Sequence, residues 1–105
     1  MEAQIFKALG DPLRLGIVRK LSEGSTYTLT QITKDLGISR QGARKQVQVL
    51  VDAKIISLIH EGREVRVTLV MSSIKSAKNF IADLENQWDK RLGKLKNLLE
   101  KNGVT

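Results

Sequence analysis

The sequence contains no cysteine, one histidine, one proline and very few aromatic residues. Without cysteine, the chain can form neither a disulfide nor a thiolate metal site, and His60 alone cannot provide the imidazole cluster of many zinc sites. No Ser-His-acid, Cys-His or paired-carboxylate arrangement has enough partners for catalysis. We therefore predict a protein that is not an enzyme and that uses no metal and no cofactor.

The sequence also lacks long apolar runs and flexible linkers. No segment approaches the length of a membrane span, and the N-terminus lacks the apolar core of a signal peptide. We therefore expect no membrane partner and a cytoplasmic location. The chain has a single proline, no Gly/Ser-rich linker and 41% hydrophobic residues among 105, which predicts one globular domain over residues 1–105.

Positive charge is in excess. The formal net charge is +7 and the isoelectric point is about 10.0, which favours a polyanionic partner, either nucleic acid or an anionic membrane surface. Residues 28–54 carry five basic and two acidic residues. This segment is therefore densely basic for its length.

The middle of this basic segment predicts one helix with two different faces. Ala43, Val47 and Leu50 recur at helical spacing, so they form an apolar stripe that must be buried. A second face contains no acid and holds only long side chains rich in hydrogen-bond donors: Gln41, Arg44, Lys45 and Gln48, with Arg40 at its entrance. Such side chains reach base edges and phosphates in a DNA major groove, although a basic face can also be merely solvated. Ser39 is the predicted N-cap.

A shorter helix is predicted just before this one. Leu29, Ile32 and Leu36 keep helical spacing, and Gly37 stands where a helix commonly ends in a left-handed residue. Thr30 is the predicted N-cap of the shorter helix. Two helices joined by such a tight turn form a helix-turn-helix, here over about residues 30–53, in which the second helix enters the major groove.

The segment that follows predicts a two-stranded β-hairpin over about residues 55–70. Its first strand is rich in β-branched residues, Gly62 permits the turn, and apolar and polar residues alternate along the second strand. Arg63 lies at the tip and Arg66 on the polar face. A hairpin in this position is the wing of a winged helix, and we expect both arginines to contact the DNA backbone.

Two further helices are predicted at the N-terminus, the first over residues 2–9. Gly10 ends it, Asp11 caps the second helix, and Pro12 takes the first helical position, where its missing amide is harmless. Together these elements predict a mainly α fold with a small β-hairpin (α+β), namely a winged helix-turn-helix with a long C-terminal dimerisation helix.

That C-terminal helix is predicted over about residues 72–101, with Ser72 or Ser73 as its cap. Apolar residues recur along it at steps of three or four over about 40 Å, which is longer than a domain of this size can cover. Part of the stripe should therefore stay exposed in a monomer and mark a two-fold dimer seam shared with the N-terminal helix. The predicted seam residues are Ile5, Leu84, Trp88, Leu92 and Leu95.

The order of these segments resembles the ArsR/SmtB family of bacterial winged-helix repressors. Residues 8–17, ALGDPLRLGI, resemble the family's opening ALxDPxRxxI, and residues 36–56 resemble its LGxSxxxxxxHLxxLxxAGLV. Residues 62–69 resemble the wing pattern GRxxxYxL, and residues 88–95, WDKRLGKL, resemble a subgroup that ends in WDxRLxxL. The resemblance implies a dimeric repressor that binds double-stranded DNA.

The sequence departs from the family pattern at several positions. The family's metal sensors place cysteines in the helix before the recognition helix, or histidines and acids on the last helix. Residues 30–35 read TQITKD, and the last helix has no histidine, so a response to metals through those sites is not expected. Gln46 replaces a common histidine, and Lys54 replaces a common glycine, at a cost of about 1 kcal/mol if that position is left-handed.

We therefore expect a homodimeric, sequence-specific DNA-binding repressor that covers a promoter at an inverted repeat. The residues predicted to contact DNA are Ser39, Arg40, Gln41, Arg44, Lys45 and Gln48 on the recognition helix, and Arg63 and Arg66 on the wing. Two alternatives stay open: a protein-interaction module that uses the winged helix as a scaffold, and a protein that binds RNA or non-B-DNA. No small-molecule effector can be named from the residues.

Overall fold

The computed structural model describes residues 2–24 and 26–101, and within these ranges five helices and three strands follow one another. They are α1 (Glu2–Leu9), α2 (Pro12–Leu21), β1 (Tyr27–Thr28), α3 (Leu29–Lys34), α4 (Arg40–Asp52), β2 (Ile56–Glu61), β3 (Glu64–Leu69) and α5 (Met71–Lys101). The predicted winged helix-turn-helix with a long C-terminal helix is confirmed. None of the helices in the described part of the chain is both long and apolar enough to cross a membrane.

The core lies where α3, α4 and the sheet meet. Its largest fully buried side chains are Ile32 of α3, Leu50 of α4, Val67 of β3, and Ile55 and Ile56 at the start of the hairpin. They come from both helices of the helix-turn-helix and from the wing. Burying large aliphatic side chains is the main stabilising contribution to such a small domain. The shared core therefore fixes the wing relative to the recognition helix α4.

The wing is a three-stranded antiparallel sheet in the order β1-β3-β2, whereas the sequence predicted two strands. β2 and β3 pair from Ile56 opposite Leu69 to Glu61 opposite Glu64, and Gly62 takes a positive φ of 60° in the turn, as predicted. β1 adds only two residues, with Tyr27 opposite Val67. Two residues are too few to show the alternation by which strands are recognised in a sequence.

Three of the predicted helix boundaries are confirmed. Asp11 accepts hydrogen bonds from two backbone amides of α2, and Pro12 is the first residue of that helix. Gly37 takes a positive φ of 68° between α3 and α4. The Ser39 hydroxyl accepts a bond from the Gly42 amide at 3.1 Å and so caps α4.

Two of the predicted caps are wrong. α3 is capped by Thr28 instead of Thr30, because the Thr28 side chain accepts from the Gln31 amide and the Gln31 side chain accepts from the Thr28 amide. This reciprocal pair is a capping box. α5 already begins at Met71, so neither Ser72 nor Ser73 is its cap. The Ser73 hydroxyl instead donates to the Lys54 carbonyl oxygen at 2.5 Å.

The long helix α5 consists of a packed half and an exposed half. Ala77 is buried, and the ring of Phe80 packs against that of Phe6 of α1, with the centroids 5.6 Å apart and the planes tilted by 55°. From residue 83 to residue 101 every side chain is exposed, and the molecule is 71 Å long but only 24 Å wide. The expectation that part of the apolar stripe stays exposed in a monomer is confirmed.

One residue predicted to lie in the dimer seam is buried in its own chain instead. Ile5 lies in the core of its own chain, with only 5% of its surface exposed. α1 turns this side chain inward, toward the elements that it packs on. Ile5 therefore has almost no surface left for a second copy, and we exclude it from the proposed interface.

Candidate nucleic-acid interface

The recognition helix α4 separates its apolar and polar residues as predicted. Ala43, Val47 and Leu50 are buried. All six residues predicted to read DNA from this segment are exposed: Ser39, Arg40, Gln41, Arg44, Lys45 and Gln48. The structure thus places them on the open side of α4, where a helix of this length can be laid into a major groove.

The first half of this face carries three cations without acidic partners. Among the described residues, no carboxylate lies within ion-pair distance of Arg40, Arg44 or Lys45. Their charges are therefore available to an anionic partner, and the absence of competing acids strengthens the local positive potential.

The far end of the face is less basic than the sequence pattern suggested. The Gln48 side-chain amide donates to Oδ1 of Asp52 at 2.8 Å. Asp52 is one turn further along α4, so an acid closes the row of donors at its C-terminal end. The uncompensated positive charge is consequently concentrated in the N-terminal half of α4, the part that reaches base edges in helix-turn-helix proteins.

The helix α3 extends the polar surface beyond the recognition helix. Thr30 and Thr33 line a shallow cleft together with Arg40 and Arg44. The exposed Lys34 lies beside Arg40 in a neighbouring cleft. These three α3 residues were not among the contacts predicted from the sequence. The signal was available, because hydroxyls and lysine are typical phosphate ligands and follow one another on the first helix of the motif.

An ion pair engages the acid at the end of α3. Lys20 of α2 makes a close ion pair with Asp35, the C-cap residue of α3. The Asp35 hydrogen bond raises the pKa of Lys20 above its usual value, so the lysine stays charged. Asp35 is thereby neutralised, and its repulsion of an incoming phosphate is reduced.

Gly42 allows the tight cap at the start of α4, a role that the sequence did not reveal. A Cβ at this position would lie 3.0 Å from the Ser39 hydroxyl oxygen. The Gly42 amide is also the donor to that oxygen. A larger residue would therefore require the Ser39 hydroxyl to shift by a few tenths of an ångström, which would strain the cap of α4.

The two wing arginines are in different environments. Arg63 is exposed at the tip and has no hydrogen-bond or ion-pair partner among the described residues. Arg66 donates from Nε to Oε2 of Glu61 at 2.9 Å and lies 3.9 Å from a Glu64 carboxylate oxygen. Half of the wing's positive charge is thus already compensated inside the hairpin.

The four remaining residues of the predicted seam lie on the exposed half of α5. Leu84, Trp88, Leu92 and Leu95 are between 46% and 58% exposed. Ile81 and Leu99 extend the same stripe at its two ends. The described residues include no group of three or more His, Cys, Asp or Glu side chains that could hold a metal ion.

Comparison with known proteins identifies the family. Residues 9–59 match a family model described as a helix-turn-helix domain. An uncharacterised HTH-type transcriptional regulator of Bacillus subtilis, YuzN, is 40% identical over an alignment of 65 residues, and the match covers 56% of this chain and 71% of that protein.

Solved structures agree with this match. An ArsR-like transcriptional regulator from Rhodococcus sp. RHA1 superposes with a TM-score of 0.79 at 24% identity, over 92% of this chain and 91% of that one. A further ArsR family transcriptional regulator gives a TM-score of 0.75 at 23% identity, over 83% and 89% of the two chains. These relatives are regulators of transcription and not enzymes. The chain therefore belongs to the HTH-type transcriptional regulators and has the ArsR-like winged-helix fold.

Proposed function

We propose that this regulator binds a specific inverted repeat in B-DNA as a homodimer and represses transcription by covering a promoter. The observation that carries the proposal is the exposed N-terminal half of α4, where Arg40, Arg44 and Lys45 have no acidic partner. Uncompensated charge on the exposed face of a helix is what a major-groove reader requires.

Within this face we divide the residues by what they can reach. Gln41, Arg44 and Lys45 are exposed in the first turns of α4 and are assigned to base edges, where glutamine suits adenine and arginine suits guanine. Arg40 also lines a second cleft with Lys34 and the α3 threonines, which Arg44 does not line, and it is assigned to phosphate. The Ser39 hydroxyl accepts the capping bond of α4, and the Gln48 amide donates to Asp52, so we assign both residues smaller contributions to DNA binding.

On the wing we assign the main phosphate contact to Arg63. Its guanidinium is exposed at the hairpin tip, whereas that of Arg66 is bound to Glu61. Contact with phosphate would require Arg66 to exchange an existing ion pair for a new one, which yields little net free energy at a surface. Arg66 is therefore paired within the hairpin and makes at most a secondary contact with DNA.

The proposed dimer uses the exposed half of α5. Three pairs of residues along the stripe are each 11 residues apart: Ile81 and Leu92, Leu84 and Leu95, and Trp88 and Leu99. An 11-residue repeat corresponds to about 3.67 residues per turn, so the stripe runs nearly straight along an α-helix. We propose that α5 of a second copy of the chain packs on this stripe. Such a dimer presents two α4 helices to the two halves of one site.

Binding to DNA enriched from a random-sequence duplex library tests the proposal. Arg44→Ala should weaken binding to the most enriched duplex by about 1–3 kcal/mol and relax its base preference at one or two positions. Arg19→Ala is the matched control, because it removes the same charge from an exposed position on α2. Equal effects of the two substitutions would show that Arg44 contributes only general charge.

The same library distinguishes the two alternatives. A wild-type protein that enriches no duplex would favour the protein-interaction module. Tighter binding to duplex RNA than to duplex DNA would favour an RNA-binding protein. A helix that reads a major groove should prefer duplex DNA, because it cannot enter the narrow major groove of RNA. We favour B-DNA because the basic face lies on a helix and not on a sheet or a loop.

A further inference from the structure

The side chain of Arg14 connects three helices. Arg14 lies in the first turn of α2, and its Nε donates to the Ala8 carbonyl oxygen of α1 at 2.6 Å. Its Nη1 donates to Oε1 of Gln46 on α4 at 2.7 Å, and a longer bond of 3.4 Å runs from Nη2 to the Lys7 carbonyl oxygen. A single guanidinium thus joins the N-terminal helices to the recognition helix.

The chemistry of these acceptors suits an arginine. Lys7 and Ala8 belong to the last turn of α1, where carbonyl groups lack intrahelical donors and carry the negative end of the helix dipole. A planar guanidinium holds its donors in fixed directions, so it can donate at the same time to backbone carbonyl oxygens of one helix and to a side-chain amide oxygen of another. The compact ammonium group of a lysine lacks this fixed, planar arrangement.

Gln46 receives this bond on the side of α4 that faces away from the solvent-exposed row. It lies five residues after Gln41, which corresponds to about 140° around a helix. Its side chain is half-buried, whereas Gln41 is exposed. The bond therefore contacts α4 on the side opposite the exposed row and does not involve the exposed side chains.

Apolar packing between α1 and α4 is incomplete at this point. A cleft of about 440 Å³ separates them, lined by Lys7, Ala8, Arg14, Val49 and Asp52 among others, and Val49 remains 39% exposed. Side chains that do not interdigitate leave the angle between two helices weakly determined. α1 itself packs on α5 through the tilted ring pair of Phe6 and Phe80.

We propose that Arg14 is a positioning residue for DNA recognition, which sets the orientation of α4 relative to α1 and α5. The inference rests on the proposed function. Hydrogen bonds to base edges require close alignment of donor and acceptor, whereas contacts with phosphates tolerate displacement and carry no sequence information. Loss of the Arg14 bonds should therefore lower affinity for a specific sequence more than affinity for random DNA.

A double-mutant cycle on the full chain tests this. Arg14→Met, Gln46→Leu and the double variant are compared on the most enriched duplex and on a random duplex, at one salt concentration. We expect Arg14→Met and Gln46→Leu each to weaken specific binding about tenfold, as for a hydrogen bond to a charged group, with random binding of Gln46→Leu unchanged. The double variant should bind as Arg14→Met does, because both changes remove one interaction.

Two controls separate positioning from charge and from folding. Arg19→Met removes the same charge from an exposed residue of α2 whose side chain has no partner in the described part of the chain, and it should leave the specific-to-random affinity ratio unchanged. Gln46→Glu keeps an acceptor for Arg14, so this ratio should stay near that of the wild type. If Arg14→Met does not fold, Gln46→Leu and Gln46→Glu decide the question alone.

Three outcomes would overturn this inference and leave the proposed function intact. Arg14→Met could lower specific and random affinity equally, as loss of charge alone would. Gln46→Leu could leave the specific-to-random ratio unchanged, or its effect could add fully to that of Arg14→Met. A wild-type chain that enriches no duplex at all would refute the proposed function, and this inference with it.

Discussion

Lys54 lies in a conformation that L-residues seldom adopt, and replacing it tests our account of the junction after the recognition helix. Among the described residues it is the one non-glycine with a positive φ, at 60°. The next residue, Ile55, donates its amide to the Leu50 carbonyl oxygen at 3.0 Å, which closes the end of α4 with a left-handed residue. The sequence resemblance places a glycine at this position in related proteins.

The expected effect of Lys54→Gly follows from two opposing contributions. A left-handed conformation costs an L-residue about 1–2 kcal/mol, which glycine avoids. Glycine also increases the conformational entropy of the unfolded chain, and this offsets about 0.4–1 kcal/mol of the gain. We therefore expect a net stabilisation of about 0.5–1 kcal/mol, or a rise in Tm of about 2–8 °C for a domain of this size.

Thermal unfolding of wild type, Lys54→Gly and Lys54→Ala at one protein concentration provides the measurement. Lys54→Ala is the matched control, since it removes the same charge and keeps the strained backbone. It should unfold at the wild-type temperature or slightly below it. A Lys54→Gly variant that is no more stable than Lys54→Ala would show that the positive φ is not strained, and our reasoning on this junction would be wrong.

Further predictions concern the dimer and metals. Leu92→Asp should give monomers in sedimentation and lose specific DNA binding, because a dimer gains affinity from the high effective concentration of its second half-site contact. The control Asn97→Asp adds the same charge on the opposite face of α5 and should stay dimeric. A monomeric wild type at micromolar concentration would contradict the proposed seam. Zinc, cadmium and arsenite should leave DNA affinity unchanged, because α3 has no cysteine and the chain has only one histidine. Stoichiometric metal binding with release of DNA would contradict this prediction.

Local sequence signals predicted most elements of the fold. Helical spacing of apolar residues placed α4, and Asp11 with Pro12 marked the start of α2, because caps and periodicity act over a few neighbouring residues. The cap of α3 was misassigned although its signal was present. Thr28 and Gln31 have the spacing of a capping box, whereas Thr30 has no such partner three residues later.

Long-range contacts were not predictable in this way. β1 is recognisable only through its pairing with β3, and the bond between Arg14 and Gln46 joins residues 32 positions apart. The pairing of Arg66 with Glu61 depends on strand register, because Ile59 lies directly opposite Arg66 and Glu61 lies two residues further along. Such diagonal neighbours on one face of a sheet can interact, but the sequence does not reveal the register.

The sequence recovered by enrichment from a random duplex library tests the central claim most directly. A homodimer that reads DNA with two α4 helices should enrich an inverted repeat whose half-site centres lie about 10 base pairs apart, one turn of the duplex. Inserting about five base pairs between the half-sites places them on opposite faces of the duplex and should reduce affinity to the level of random DNA. An enriched sequence without two-fold symmetry, or an insertion without effect, would contradict the account.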